Sequence, residues 1–188
     1  MNAEEQARHE EFERQQKIRT AAYDGMITLV GQAAQASALV ELHLRQLMVA
    51  LLDSKYANLV AAGLSAGDLI DTCTVLLKVN KEINGDQRTE GLALLSGLKD
   101  LLNTRNNLVH GLIAIAGDGD TRTAETAPEP VIQTMALVSK RRKPEALLTI
   151  TKAEAERTVK DLRERGDGIL HWVIAALPAQ LRRDQVTT

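Results

Sequence analysis

The chain has 188 residues, of which 44% are hydrophobic, 26% charged and 2% aromatic, and its formal net charge is −2. That length fits one domain able to bury its own core, and so balanced a charge excludes an overall field that would draw the protein to nucleic acid or to a membrane surface. The single cysteine, Cys73, excludes an intrachain disulfide framework, and the four rings of Phe12, Tyr23, Tyr56 and Trp172 are too few for RNA recognition by base stacking, so any nucleic-acid activity rests on a local site.

In chain order, residues 1–22 are rich in Glu, Gln and Arg and carry almost no apolar face, which predicts a separate, exposed N-terminal helix and no signal peptide. From Tyr23 to Leu52 apolar residues recur at steps of three and four (Met26, Leu29, Ala33, Val40, Leu44, Leu47, Leu51), the pattern of a long core helix. Glu41, His43 and Arg45 interrupt that stretch and exclude a membrane span. A loop around Gly63 leads to Ser65-Ala66-Gly67-Asp68, a capping-box arrangement opening a helix whose inward stripe is Leu69, Ile70, Cys73, Leu76 and Leu77. After the turn signal Asn84-Gly85-Asp86, one helix is expected from about Asp86 to His110, with Gly111 ending it.

The character changes over residues 111–150. Leu112–Ala116, the alternating Val131–Ser139 and the short Leu147–Ile150 run read as a small antiparallel three-stranded insertion. Thr151-Lys152-Ala153-Glu154 is a second capping box, starting a last helix that ends near Pro178; residues 179–188 read as a loose tail. The expected architecture is mainly α: a single domain over residues 1–178, built as a four-helix bundle with an extra N-terminal helix and a β insertion before the last helix.

The segment Arg105-Asn106-Asn107-Leu108-Val109-His110 is the one that carries chemistry. With about 100° per residue, Leu94, Leu98, Leu101, Leu102, Leu108 and Val109 all fall within about 60° of Arg105. A guanidinium in a leucine stripe stays charged, so it must be paired or face a wet groove. Glu41, about 60° from the centre of its own helix's apolar face, is a candidate partner. His110 falls about 140° from Arg105, on a polar stripe with Asn103, Asn106 and Asn107. Arg105 and His110 can meet in two ways: the helix deforms near its end, or two copies of it meet across a symmetry axis.

An Arg followed by a polar residue, a short spacer and a His at the end of a bundle helix resembles the HEPN superfamily, whose signature is R-x(4–6)-H. Arg105-Asn106-(Asn107-Leu108-Val109)-His110 matches its shortest spacing, and the segment Glu41 to Leu47 looks like that family's first core helix. The resemblance covers roughly residues 23–112 and 151–178 and does not extend to the β insertion. It implies a homodimer whose two motifs meet in a cleft and cut RNA without metal or cofactor, a toxin or defence protein checked by an antitoxin partner; the reduced cytoplasmic setting expected for it rests on the single cysteine. Under that resemblance His110 acts as general acid or base, Arg105 holds the scissile phosphate, and Asn106 orients one of them, with Glu41 and Asn107 in support.

Lys140-Arg141-Arg142-Lys143 is the one dense basic cluster; it would hold RNA phosphates or form a solvated hairpin tip. Gly117-Asp118-Gly119-Asp120 lacks the further ligands of a calcium loop, and His9, His43, His110 and His171 show no zinc spacing. Two other classes compete with the nuclease reading. One is a non-catalytic helical interaction module in which Arg105 and His110 are structural; the other is a bundle that binds a nucleotide or another small molecule.

Overall fold

The protein is mainly helical in the computed structural model, which describes residues 2–115, 132–135 and 148–177. Among the described residues six helices run α1 (Ala3–Leu52), α2 (Ala57–Ala62), α3 (Ala66–Val79), α4 (Gly85–Leu95), α5 (Leu98–His110) and α6 (Lys152–Ala176), with short strands β1 (Leu112–Ile115), β2 (Ile132–Met135) and β3 (Leu148–Thr149) between the last two. None of the helices among the described residues is long and apolar enough to cross a membrane. The basic run 140–143, the Gly-Asp repeat at 117–120 and the tail at 179–188 lie outside the described residues.

Two expectations need correction. The separate helix over residues 1–22 does not exist: α1 is continuous for 50 residues. Between Thr20 and Gly25 there is no proline, Thr20 donates its hydroxyl to the Gln16 carbonyl one turn back rather than capping a new helix, and Gly25 costs a helix only about 1 kcal/mol. At its start, Asn2 Oδ1 accepts from the Glu5 N–H while Glu5 Oε2 accepts from the Asn2 N–H, both at 2.9 Å, a reciprocal cap the sequence reading overlooked.

The second correction concerns the helix expected from Asp86 to His110. It is two helices, α4 and α5, parted at Ser96-Gly97. Gly97 has φ +71°, a left-handed conformation open to glycine and unfavourable for other residues. Leu94 therefore belongs to α4 and is not part of the stripe around Arg105. The end of α4 is closed from α6: Arg165 Nη1 donates to the carbonyls of Ala93 at 2.7 Å and Leu94 at 3.1 Å.

The chain forms two compact units. In the unit of residues 34–105 and 158–188, the core is Val40, Leu44 and Leu47 from α1, Leu69, Cys73 and Leu77 from α3, Leu98 and Leu102 from α5, and Leu162, Ile169 and Val173 from α6. Ser65 caps α3 by accepting from the Asp68 N–H, and Asn84 with Gln87 forms a full capping box at α4. Arg88 gathers the turn between these helices, donating to the carbonyls of Leu77, Asn80 and Ile83 at 2.8–3.0 Å.

In the unit of residues 1–33 and 106–157, Met26, Leu29 and Ala33 of α1 are buried, as are Leu108, Ile150 and Ala155. The strands form an antiparallel sheet in the order β1-β2-β3, with Leu112 opposite Met135, Ile115 opposite Ile132, and Thr134 opposite Leu148. Thr151 caps α6 by donating its N–H to Glu154 Oε2 at 2.8 Å and accepting from the Glu154 N–H at 3.2 Å. The N–H and the hydroxyl of Thr151, both donated to Glu154 Oε2, hold that carboxyl below its ordinary range.

Candidate functional site

The motif lies on α5, and the local sequence explains why that helix stands where it does. Gly97 sets its starting direction, and Lys99 Nζ grips both carboxylate oxygens of Asp71 on α3 at 2.6 Å. Both partners are substantially exposed, so this pair orients α5 more than it stabilises it. Leu98 and Leu102 then seat the first turns in the core.

Along α5 the burial follows the helical wheel. Leu98, Leu102 and Leu108 are buried, and Leu101, Val109 and Arg105 are half-buried. Arg105 thus sits in a stripe of apolar side chains within about 60° of its own direction. On the other side, Asn103, Asn106 and His110 are exposed and Asn107 is half-buried. Arg105 and Asn106 both have interaction partners, so neither side chain is free.

α5 stays α-helical through His110. The distortion that would swing His110 toward Arg105 on one chain is therefore not present, and the two side chains leave the helix about 140° apart. His110 occupies the last helical position of α5.

Glu41 does not wait for a distant partner. It is half-buried and forms an ion pair with Arg45, one turn further along α1, at 3.5 Å. This is the (i, i+4) pairing that a helix favours, and it gives Glu41 a cation on its own helix.

A feature the sequence reading missed is a cleft of about 350 Å³ between α4 and α6, lined by Gln87, Glu90, Leu94, Gly168, His171 and Trp172 among others. Trp172 is buried with Nε1 donating to the Gln87 carbonyl at 2.9 Å, which makes its ring a packing element. The signal for it was the pair of glycines, Gly91 and Gly168, where a Cβ would stand 3.1 Å from the Trp172 ring and 2.8 Å from Leu94 Cδ2 respectively. Among the described residues no group of three or more His, Cys, Asp or Glu side chains could hold a metal ion.

Compared with known proteins, the chain matches no family model, no curated protein and no solved structure.

Proposed function

We propose that the chain is a HEPN-like homodimeric endoribonuclease of toxin or defence type, a four-helix bundle carrying a β insertion, with Arg105, Asn106 and His110 of two copies sharing one cleft. The observation that carries this reading is the two-sided end of α5: an exposed imidazole and amide on one side, and a guanidinium held among leucines on the other. Because the helix is regular through His110, a second copy is what would bring an Arg105 and a His110 together.

In this scheme one His110 removes the proton from a ribose 2′-hydroxyl as its oxygen attacks the adjacent phosphorus. The second His110 gives a proton to the departing 5′-oxygen, leaving a 2′,3′-cyclic phosphate and a 5′-hydroxyl. An imidazole suits both steps because its ordinary pKa lies near neutrality. Arg105 offsets the charge gathering on the phosphoryl oxygens. Asn106 holds one of these groups in place, Asn107 supports the site, and the run Lys140–Lys143 adds phosphate contacts. The protein would act in the cytoplasm, where an antitoxin partner restrains it.

The test is cleavage of single-stranded RNA in the presence of a chelator by wild type, His110→Ala, Arg105→Ala and Asn106→Ala. His110→Ala should lose about a hundredfold or more of the activity, with unchanged thermal melting because His110 is exposed. Equal cleavage by wild type and His110→Ala would remove this residue from the mechanism. One observation favours the second reading, a non-catalytic interaction module: Arg105 is half-buried and engaged, as a structural arginine would be.

A further inference from the structure

The cleft of about 350 Å³ between α4 and α6 lies within one compact unit, and its walls are held by bonds on both helices. α4 is tied at its start by the capping box of Asn84 and Gln87 and at its end by Arg165. Trp172 is pinned by its bond to the Gln87 carbonyl and packs on the bare backbone of Gly91. Beside it, α6 lines the cleft with Gly168, Ala175 and Ala176, none carrying more than a methyl group, so the space between the helices stays open. Its volume stands at the lower end of the range that holds small organic molecules. Walls already fixed in this way need little ordering when a molecule enters, which removes one cost of binding.

The charges around the cleft are unevenly committed. Arg88 on α4 is engaged by the carbonyls of Leu77, Asn80 and Ile83, and Arg165 on α6 by those of Ala93 and Leu94. Glu90 and His171 both line the cleft, and neither forms a hydrogen bond or an ion pair among the described residues. The described lining therefore holds one carboxylate and no arginine or lysine. A lone carboxylate beside apolar walls favours a cation over a neutral molecule and repels an anion.

We propose that this cleft binds a small organic ammonium ion, a primary amine on a compact apolar body. Glu90 accepts from the ammonium group, and the imidazole of His171, when neutral, offers a second acceptor. Leu94 and Trp172 flank the apolar body, and Gly168, Ala175 and Ala176 leave it room.

The probe is benzylamine, with benzyl alcohol and benzoate as neutral and anionic molecules of similar shape. Trp172 is the sole tryptophan of the chain, so its emission reports on the cleft without a label. Titrating the full chain with benzylamine should change that emission saturably and release or absorb heat in calorimetry, with a Kd on the order of millimolar for so small a molecule. Benzyl alcohol and benzoate should bind at least about tenfold more weakly, as should benzylamine to Glu90→Gln, through the lost charge-assisted bond. Thermal melting of Glu90→Gln should be unchanged, because that side chain is exposed. Ala175→Leu, which fills the opening from an exposed helical position, should abolish binding. A wild type with neither a saturable emission change nor heat would overturn the proposal. So would benzyl alcohol or benzoate binding as tightly as benzylamine, or either variant binding as wild type does. RNA plays no part in this readout, so its outcome is separate from that of the nuclease test.

Discussion

His43 on α1 donates its Nδ1 proton to the carbonyl of Gly166 on α6, with 2.9 Å between the heavy atoms. A carbonyl can only accept, so the bond fixes the tautomer of a histidine that is 8% exposed. A Cβ at Gly166 would stand 3.6 Å from Nδ1 and 3.4 Å from Val40 Cγ2, ordinary contact distances, so the bond does not depend on glycine at that position. His43→Ala should lower the unfolding free energy by about 1–3 kcal/mol, through the lost bond and the space left behind, as read by urea denaturation.

Gly91 and Gly168 both lie where α4 meets α6, yet they should respond differently to alanine. At Gly91 the added methyl meets the rigid Trp172 ring at 3.1 Å and Leu77 Cδ2 at 3.2 Å, so the ring must shift; the expected loss is about 1–3 kcal/mol. At Gly168 the nearest atom, at 2.8 Å, is the end of the Leu94 side chain. A rotamer change relieves that contact, and alanine favours a helix over glycine by about 1 kcal/mol. Gly168→Ala should therefore be close to neutral in thermal melts, and a loss as large as that at Gly91 would contradict this reasoning.

Burial pushes the Cys73 thiol up to about 12, and its Sγ lies 3.6 Å from the Leu44 carbonyl. In the unfolded chain the thiol ionises near pH ~8.5. A folded value raised above the unfolded one means the contribution to stability is complete below that pH and is lost as pH rises toward the folded value. Wild type should therefore become less stable with increasing pH in alkali, by about 1.4 kcal/mol per unit from this group, and Cys73→Ala should lack that component of the slope. In the native state the thiol should also resist a disulfide reagent that modifies it fully in urea.

Gly97 has no atom within 4 Å of where its Cβ would be, so a substitution there tests backbone conformation alone. Gly97→Ala should cost about 1–2 kcal/mol from the left-handed φ, and Gly97→Asn less, because asparagine tolerates that region. Equal melting temperatures for the two variants would count against the strain argument.

Some of this was legible in the sequence and some was not, for identifiable reasons. The caps at Ser65 and Thr151 depend on residues three apart, and both helices begin within a residue of where those motifs point. The division of α5 into a leucine side bearing Arg105 and a polar side bearing Asn106 and His110 follows from helical angle, and the burial agrees with it. The break at Gly97 was hidden because leucines recur at helical spacing on both sides of it, and glycine within such a run is a small penalty. The three carbonyls on Arg88 and the two on Arg165 were hidden because long-range capping by arginine leaves no periodic trace. The ion pair of Glu41 with Arg45 was missed for the converse reason: an angular argument about facing helices left out the cation one turn along its own helix.

Gly97 also resets the helical phase. Within a single helix, inserting or deleting one residue anywhere before Arg105 would rotate every later side chain by about 100° relative to those preceding it. With the turn at Ser96-Gly97 in between, the faces of α5 are no longer tied by the 100° step to those of α4. Which side of α5 carries the guanidinium and which the imidazole is written in thirteen residues, from Leu98 to His110, while the placing of both sides rests on Gly97 and on Asp71.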